Sequence, residues 1–182
     1  MDTELVRSAQ NGDKGAFTSL AAAMADRFLA ASHRILRDIS LAEDATQQAL
    51  LSVWRDLPQL RDPARFEAWS YRLLVRACYA EASRTRRWGP NLRLLPADEP
   101  MAADPLSGVV DRDQLERGFR RLSLDHRTVV VLHHYLDLPL EQVAETLGIP
   151  VGTAASRLHY AMRGLRAALD ADARSVARRA TQ

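Results

Sequence analysis

Residues 140–166 read LEQVAETLGIPVGTAASRLHYAMRGLR, and this stretch decides the fold of the C-terminal part of the chain. Its first half is an amphipathic helix that we expect to end at Gly148, because glycine commonly follows the last residue of a helix. A turn through Pro150 follows, and a second helix begins near Val151. Ala144 stands four residues before Gly148, where two crossing helices need a small side chain. This spacing is typical of a helix-turn-helix.

The second helix of this motif has an apolar face and a polar face. The face predicted to pack inward consists of Ala154, Leu158, Ala161, Met162, Leu165 and Leu169. The opposite face offers hydroxyl and guanidinium groups, which can reach phosphates and base edges in the DNA major groove; it consists of Thr153, Ser156, Arg157, Tyr160 and Arg163. A helical hairpin with a merely solvated face is the alternative. Arg157 could also pair with Glu141 or Glu145 instead of contacting DNA.

A second pattern lies in residues 65–87, RFEAWSYRLLVRACYAEASRTRR. Seven side chains fall within about 40° of one line on a helix, namely Arg65, Trp69, Arg72, Arg76, Tyr79, Ser83 and Arg87. The face predicted to pack inward holds Phe66, Leu73, Leu74, Ala77 and Ala80. Arginines interleaved with aromatic rings suit single-stranded nucleic acid, because the charges meet the backbone and the rings stack on bases. Alternatively, the arginines lie over a core helix while the rings simply pack.

A third amphipathic segment is residues 40–57, SLAEDATQQALLSVWRDL. Ser40 and Glu43 have the spacing of a capping box, which predicts that the helix begins there. Its inward face consists of Ala45, Ala49, Val53 and Leu57, and its polar positions are Glu43, Asp44, Gln47, Gln48 and Asp56. By itself this pattern indicates only an amphipathic helix whose outer face could be solvated.

The whole chain has 182 residues, of which 47% are hydrophobic, 26% charged and 6% aromatic. These values are typical of a globular protein, and the few aromatic residues favour helices over a β-sandwich. The apolar runs are too short to cross a bilayer, and the N-terminus has no signal-peptide pattern. Cys78 is the only cysteine, which excludes an internal disulfide and a cysteine-clustered zinc site. The sequence therefore predicts a soluble, intracellular, all-α protein.

The segment between the two halves has a different composition. Residues 88–108 hold four prolines and two glycines and have no helical periodicity, so we expect a flexible linker. Two small helical domains are predicted on either side, at residues 1–87 and 110–171, with a linker at 88–109 and a frayed tail at 172–182. Within the first domain, Pro58 and Pro63 bracket a short loop, and the helices around it are expected near residues 3–11, 13–35, 40–57 and 63–87. In the second, helices are expected near 110–122, 124–135, 140–147 and 151–171.

These segments, in this order and across a linker, resemble the extracytoplasmic-function (ECF) subgroup of the bacterial sigma-70 family of RNA polymerase sigma factors. Region 2.2 of the family typically reads AED-x-x-Q-x-x-[FL]-x-x-[VA]-W-R, and AEDATQQALLSVWR here is similar. The AW-x-Y core of its next helix is matched by Ala68–Tyr71, with an arginine-rich end at Arg84–Arg87. Region 4.2 typically reads PVGTVKSRLHRAR, matched by PVGTAASRLHYAM, and residues 120–149 resemble region 4.1.

The resemblance implies an alternative sigma factor that binds core RNA polymerase, through the clamp helices of the largest subunit and the flap, and directs it to promoter DNA. The implied polymerase contacts are Asp44, Gln47 and Gln48. The implied −10 contacts are Gln59, Arg61, Arg65, Trp69, Arg72, Arg76, Arg84 and Arg87. The implied −35 contacts are Gly152, Thr153, Ser156, Arg157, Tyr160 and Arg163. An anti-sigma factor is a further partner that the resemblance suggests.

The sequence departs from the family pattern at several of these positions. Gln48 stands where an acidic residue is common, so one polymerase contact is expected to be weaker. Ala155, Tyr160 and Met162 replace residues that are often basic, so −35 binding should depend less on phosphate charge. The family's linker resembles a strand threaded toward the RNA exit path, where the acidic residues of 98–116 could occupy a basic channel.

Two other classes of protein are alternatives to a sigma factor. A helix-turn-helix regulator with an N-terminal helical sensor domain would explain residues 110–182 but not the patterns of the first half. An enzyme would need a phosphate loop, a nucleophile elbow or a metal motif, and the sequence has none of these. His126, His133 and His134 invite a metal site, but no acid or cysteine completes a ligand set. We therefore expect a cytoplasmic, non-catalytic protein without metal or cofactor.

Overall fold

The computed structural model describes the backbone of residues 2–88 and 109–180 and the side chains of residues 2–85 and 115–169. Every regular element within those ranges is helical, and the helices form two compact units. The first unit is built on α1 (Thr3–Gln10), α2 (Lys14–Leu36), α3 (Ile39–Asp56) and α4 (Phe66–Trp88). The second is built on α5 (Val109–Arg121), α6 (Leu124–Val130), α7 (Leu140–Leu147) and α8 (Val151–Ala180). The all-α, two-domain prediction is confirmed, and residues 89–108 of the predicted linker lie outside the described part.

The α2–α3 junction differs from the predicted capping box. Arg37 has a left-handed backbone with φ of 62° and ends α2. The next residue, Asp38, caps α3, and its carboxylate accepts a hydrogen bond of 3.0 Å from the Leu41 backbone N–H. Aspartate is as good an N-cap as serine, and here it comes two residues earlier. Ser40 therefore lies inside the helix, and the prediction that it begins the helix with Glu43 is wrong.

Small residues on α3 let it pack between α2 and α4. Ala45, Ala49 and Val53 are fully buried, as predicted, and α3 packs against both α2 and α4. Close packing of this kind supplies most of the stability of short helices, since their intrinsic propensity is weak.

The inward face of α4 is broader than its hydrophobic pattern predicted. Ala80 is exposed and Ala77 only half-buried, whereas Tyr71, Cys78 and Glu81 are buried. The reason is that α4 packs against both α2 and α3, so its buried arc includes residues that an apolar pattern does not mark. The predicted inward position of Ala80 is wrong.

The helix-turn-helix is present as predicted. Gly148 has φ of 66°, a conformation that glycine adopts without strain, and the Ile149 N–H donates to the Ala144 carbonyl at 3.0 Å. Ala144 is buried, which is consistent with its predicted place under the crossing helix. Pro150 then precedes the first residue of α8.

Two boundaries of the second unit differ from the prediction. The helix expected over 124–135 changes at Val131 to a π-helical turn that ends at Tyr135. In addition, α8 continues to Ala180, so the segment from 172 that was expected to fray is helical over most of its length. Alanine and arginine, which dominate that segment, are strong helix formers even without large apolar side chains.

Candidate nucleic-acid and partner interfaces

The outward side of α3 carries an exposed stripe that is partly polar and partly apolar. Asp44, Gln47 and Gln48 are all exposed on it, and Leu51, with 54% of its surface accessible, lies between them on the helical wheel. We call these four residues the α3 stripe. The sequence interpretation named its polar members and missed Leu51. Leu51 lies on the helical wheel away from the buried face of Ala45, Ala49 and Val53, so the sequence could have indicated that it is exposed.

An aromatic pair borders the α3 stripe. Trp54 is 45% exposed, and its ring meets that of Phe17 of α2 edge to face, with 4.5 Å between the ring centroids. Exposed apolar side chains beside polar ones are typical of surfaces that bind other proteins.

A shallow groove runs along the same side of the α3 stripe as Trp54, between α2 and α3. Its lining is apolar at the base, with carboxylates at Asp26 and Glu43, and consists of Ala25, Asp26, Leu29, Glu43, Thr46, Gln47 and Leu50. The carboxylates favour a partner that presents basic side chains.

Arg84, one of the predicted DNA contacts, is held by two carboxylates of its own unit. Its guanidinium lies 2.6 Å from Glu81 Oε2 and 3.3 Å from Asp44 Oδ2. The Glu81 side chain is only 6% exposed, so Arg84 neutralises a buried charge. On the helical wheel Arg84 lies about 60–120° away from the other arginines of residues 65–87 that are predicted to contact the −10 element. No sequence pattern marks Glu81 as buried, because a glutamate on a helix is usually solvated.

The stripe of arginines and aromatic rings on α4 has features of a nucleic-acid surface and also of a packed core helix. Arg65, Arg76 and Ser83 are exposed, whereas Trp69, Arg72 and Tyr79 are half-buried. The Trp69 ring packs against Phe66, with 6.0 Å between the centroids. Arg65 and Arg76 therefore face solvent, whereas Arg72 and the two rings are partly covered. The side chain of Arg87 lies outside the described residues.

The loop between α3 and α4 presents Gln59 and Arg61. Both side chains are exposed and stand between two short 3₁₀ turns, Leu57–Gln59 and Pro63–Arg65. Asp62 caps the second turn by accepting a hydrogen bond from the Ala64 N–H at 3.0 Å. The two predicted contacts of this loop are thus brought to the surface together.

The first three turns of α8 present most of their predicted contacts to solvent. These exposed residues are Gly152, Thr153, Ser156, Tyr160 and Arg163. Tyr160 is 58% exposed, and the Ser156 hydroxyl donates to the Gly152 carbonyl at 2.8 Å, which leaves its oxygen as an acceptor. A helix with this exposed arc can enter a DNA groove.

Arg157 differs from its neighbours on α8. Its guanidinium lies 2.9 Å from Asp125 Oδ2, in the first turn of α6, and its side chain is 29% exposed. The sequence analysis proposed Glu141 or Glu145 as the alternative partner. The observed acid is Asp125, because α8 packs against α6.

His133, His134 and Cys78 have surroundings that are typical of packed side chains and not of metal ligands or reactive groups. His133 Nδ1 lies 2.9 Å from the Leu138 carbonyl oxygen, and the rings of His133 and His134 meet edge to face. Within the described ranges, no three histidine, cysteine, aspartate or glutamate residues are grouped as metal ligands. Burial raises the pKa of the Cys78 thiol to about 11, so this thiol stays protonated at neutral pH.

Comparison with known proteins identifies the family. The family model of sigma-70 region 2 matches residues 20–88, and the family model of sigma-70 region 4 matches residues 112–165. The ECF RNA polymerase sigma factor SigL of Mycobacterium tuberculosis is 32% identical over 139 residues, which are 75% of this chain and 78% of the relative. The chain belongs to the ECF sigma factors. SigW of Bacillus subtilis is 25% identical over 176 residues, or 88% of this chain and 92% of that protein.

Solved structures share the fold. CnrH, in a complex with the cytosolic domain of CnrY, has a TM-score of 0.69 and 23% identity, and the match covers 94% of this chain and 98% of CnrH. The sigma factor RpoE of Bartonella quintana, in a complex with the anti-sigma factor NepR, has a TM-score of 0.72 and 20% identity, over 86% and 98% of the two chains.

Membership of this family establishes the general function. The protein is an alternative sigma factor that acts in transcription initiation, and sigma factors bind core RNA polymerase and promoter DNA. They are not a family of enzymes. Among the helices that the structure describes, none is both long and apolar enough to cross a membrane.

Proposed function

We propose that this sigma factor divides its work among three surfaces. The α3 stripe binds the clamp helices of the largest polymerase subunit. The loop at Gln59 and Arg61, with the α4 arginines, recognises and opens the −10 element. The exposed arc of α8 binds the −35 element, and α8 belongs to a unit that also offers a surface for the flap. The chain itself is non-catalytic, acts in the cytoplasm, and supplies specificity while the polymerase performs the chemistry.

The exposed Leu51 among Asp44, Gln47 and Gln48 carries the polymerase assignment. Leu51 is 54% exposed on a helix whose other side is fully buried. Covering this apolar side chain with a partner protein would be favourable, because apolar surface would leave water. Polar neighbours around an apolar centre have the composition of a protein interface. The complex of RpoE with the anti-sigma factor NepR has this fold, and by analogy we include an anti-sigma factor among the partners of this chain.

Leu51→Asp tests this assignment better than a change at Asp44, because Asp44 is paired with Arg84. We expect at least about a tenfold rise in the dissociation constant for core polymerase, since a carboxylate would be buried without a partner. The matched control is Ser19→Asp, which places the same charge on the exposed side of α2. Equal affinities for parent and Leu51→Asp would refute the role of the α3 stripe.

A further inference from the structure

The loop between α3 and α4 is held by the side chain of Gln10, the last residue of α1. Gln10 Nε2 lies 2.7 Å from the Leu60 carbonyl oxygen and 3.1 Å from the Leu57 carbonyl oxygen. A glutamine amide has two N–H donors, so both hydrogen bonds can form at once. One side chain therefore connects α1 to a loop that lies about fifty residues further along the chain.

The two held carbonyls belong to the peptide groups on either side of the loop's exposed tip. The Leu57 carbonyl lies in the peptide that leads into Pro58, and the Leu60 carbonyl in the peptide that leads into Arg61. Because a peptide group is planar, fixing its carbonyl also fixes the direction in which the next residue leaves. The Leu60 N–H donates to the Leu57 carbonyl at 3.1 Å, which closes the turn. Gln59 lies between the two fixed groups.

The base from which Gln10 reaches the loop is itself firmly packed. Val6 and Ala9 on the inner side of α1 are buried, and α1 packs against α2 and both 3₁₀ turns. Gln10 is half-buried, so water competes less for its hydrogen bonds than at an exposed site. The matched family region begins only at residue 20, so α1 lies outside it.

We propose that Gln10 is a positioning residue for promoter recognition. It holds the loop in the conformation in which Gln59 and Arg61 meet the −10 element, and this inference rests on the proposed role of that loop. Without the two hydrogen bonds the loop populates other conformations, and the apparent affinity falls with the fraction that remains competent. Two net hydrogen bonds correspond to about a tenfold change in the ratio of competent to other loop conformations.

Three substitutions separate hydrogen bonding from packing. Gln10→Leu keeps the size but removes the donors, and Gln10→Glu keeps the shape but presents a carboxylate to the carbonyls. Gln10→Lys retains donors on a flexible stem. In holoenzymes tested on a randomised −10 library, we expect Gln10→Leu and Gln10→Glu to lower open-complex formation by twofold to tenfold, roughly, and to flatten base preference. Gln10→Lys should keep the preference, as should the control Ser8→Leu on the exposed side of α1.

A double-mutant cycle shows whether Gln10 acts through the loop. Gln10→Leu should have no further effect when Gln59 and Arg61 are both alanine, because the loop then has nothing to position. An equal loss in both backgrounds, or an equal loss on −35 libraries, would overturn the inference. If the loop alanines alone leave −10 recognition unchanged, the proposed role of the loop fails instead. Tryptophan fluorescence of Trp54 and Trp69 verifies that the first unit of each variant is folded.

Discussion

Arg84 matches a motif that predicts a DNA contact, and in the structure it forms ion pairs within its own unit. Its position at the arginine-rich end of α4 predicted a DNA contact, but its guanidinium lies against Glu81 and Asp44. Glu81 is almost completely buried, and a buried carboxylate without a cation is costly. The first role of Arg84 that the geometry supports is therefore to stabilise the first unit.

Arg84→Ala should lower the free energy of unfolding of the first unit by about 1–2 kcal/mol, the value of a partly exposed arginine on a buried carboxylate. Adding Glu81→Gln should restore most of the loss, because the amide carries no charge. Urea unfolding followed by tryptophan fluorescence measures this, since all three tryptophans lie in α3 and α4.

Arg76 provides the matched comparison for DNA binding. It is exposed and forms no ion pair with any described residue. Arg76→Ala should therefore reduce the salt dependence of open-complex formation by about one phosphate contact, whereas Arg84→Ala should leave that slope unchanged. Equal reductions for the two variants would make Arg84 a phosphate ligand as well.

At the scale of helices, the sequence predicts elements well where one residue type decides the geometry. Gly148 and Pro150 fix the turn before α8, and the alanines of α3 fix its buried side. The prediction fails where the deciding contact is distant in sequence. The ion pair of Arg157 with Asp125 is such a contact, because the two residues lie on different helices and no local pattern reports the pairing.

The position of Arg157 bears on how α8 binds DNA. Its ion pair with Asp125 holds the guanidinium against α6, and the residues of the same turns that face outward are Thr153, Ser156 and Tyr160. Hydroxyl groups and an aromatic ring can read base edges, whereas a phosphate contact carries no sequence information.

We therefore expect Ser156→Ala or Tyr160→Ala to change which −35 sequences the holoenzyme prefers, at a cost of about 1–3 kcal/mol for the preferred base. Arg163→Ala should weaken all sequences equally and lower the salt slope by about one contact. Arg157→Ala should leave that slope intact, because its charge is already paired. Selection from a randomised −35 library, repeated at several salt concentrations, distinguishes these results. Unchanged preferences for both Ser156→Ala and Tyr160→Ala would contradict the base-reading role.

At the scale of the whole chain, the proposed function assigns a promoter contact to each of two units that one segment joins. The second contact would then become intramolecular once the first has formed. The resemblance to the family assigns the acidic residues of 98–116 to this linker. Because α5 begins at Val109, half of its acids lie on a helix instead. The segment outside the described residues, 89–108, holds Asp98, Glu99 and Asp104 against Arg93, a net charge of −2.

Neutralising these three residues, as Asp98→Asn, Glu99→Gln and Asp104→Asn, tests whether the segment does more than connect the units. If its charge competes with nascent RNA for a basic channel, the neutral variant should alter the ratio of abortive to full-length transcripts. Promoter affinity should not change, because acidic residues are poor DNA ligands. The control removes equal charge from α5 through Asp111→Asn, Asp113→Asn and Glu116→Gln. Gel analysis of transcripts from one promoter measures the ratio, and equal ratios for parent and neutral variant would mean that the segment acts only as a tether.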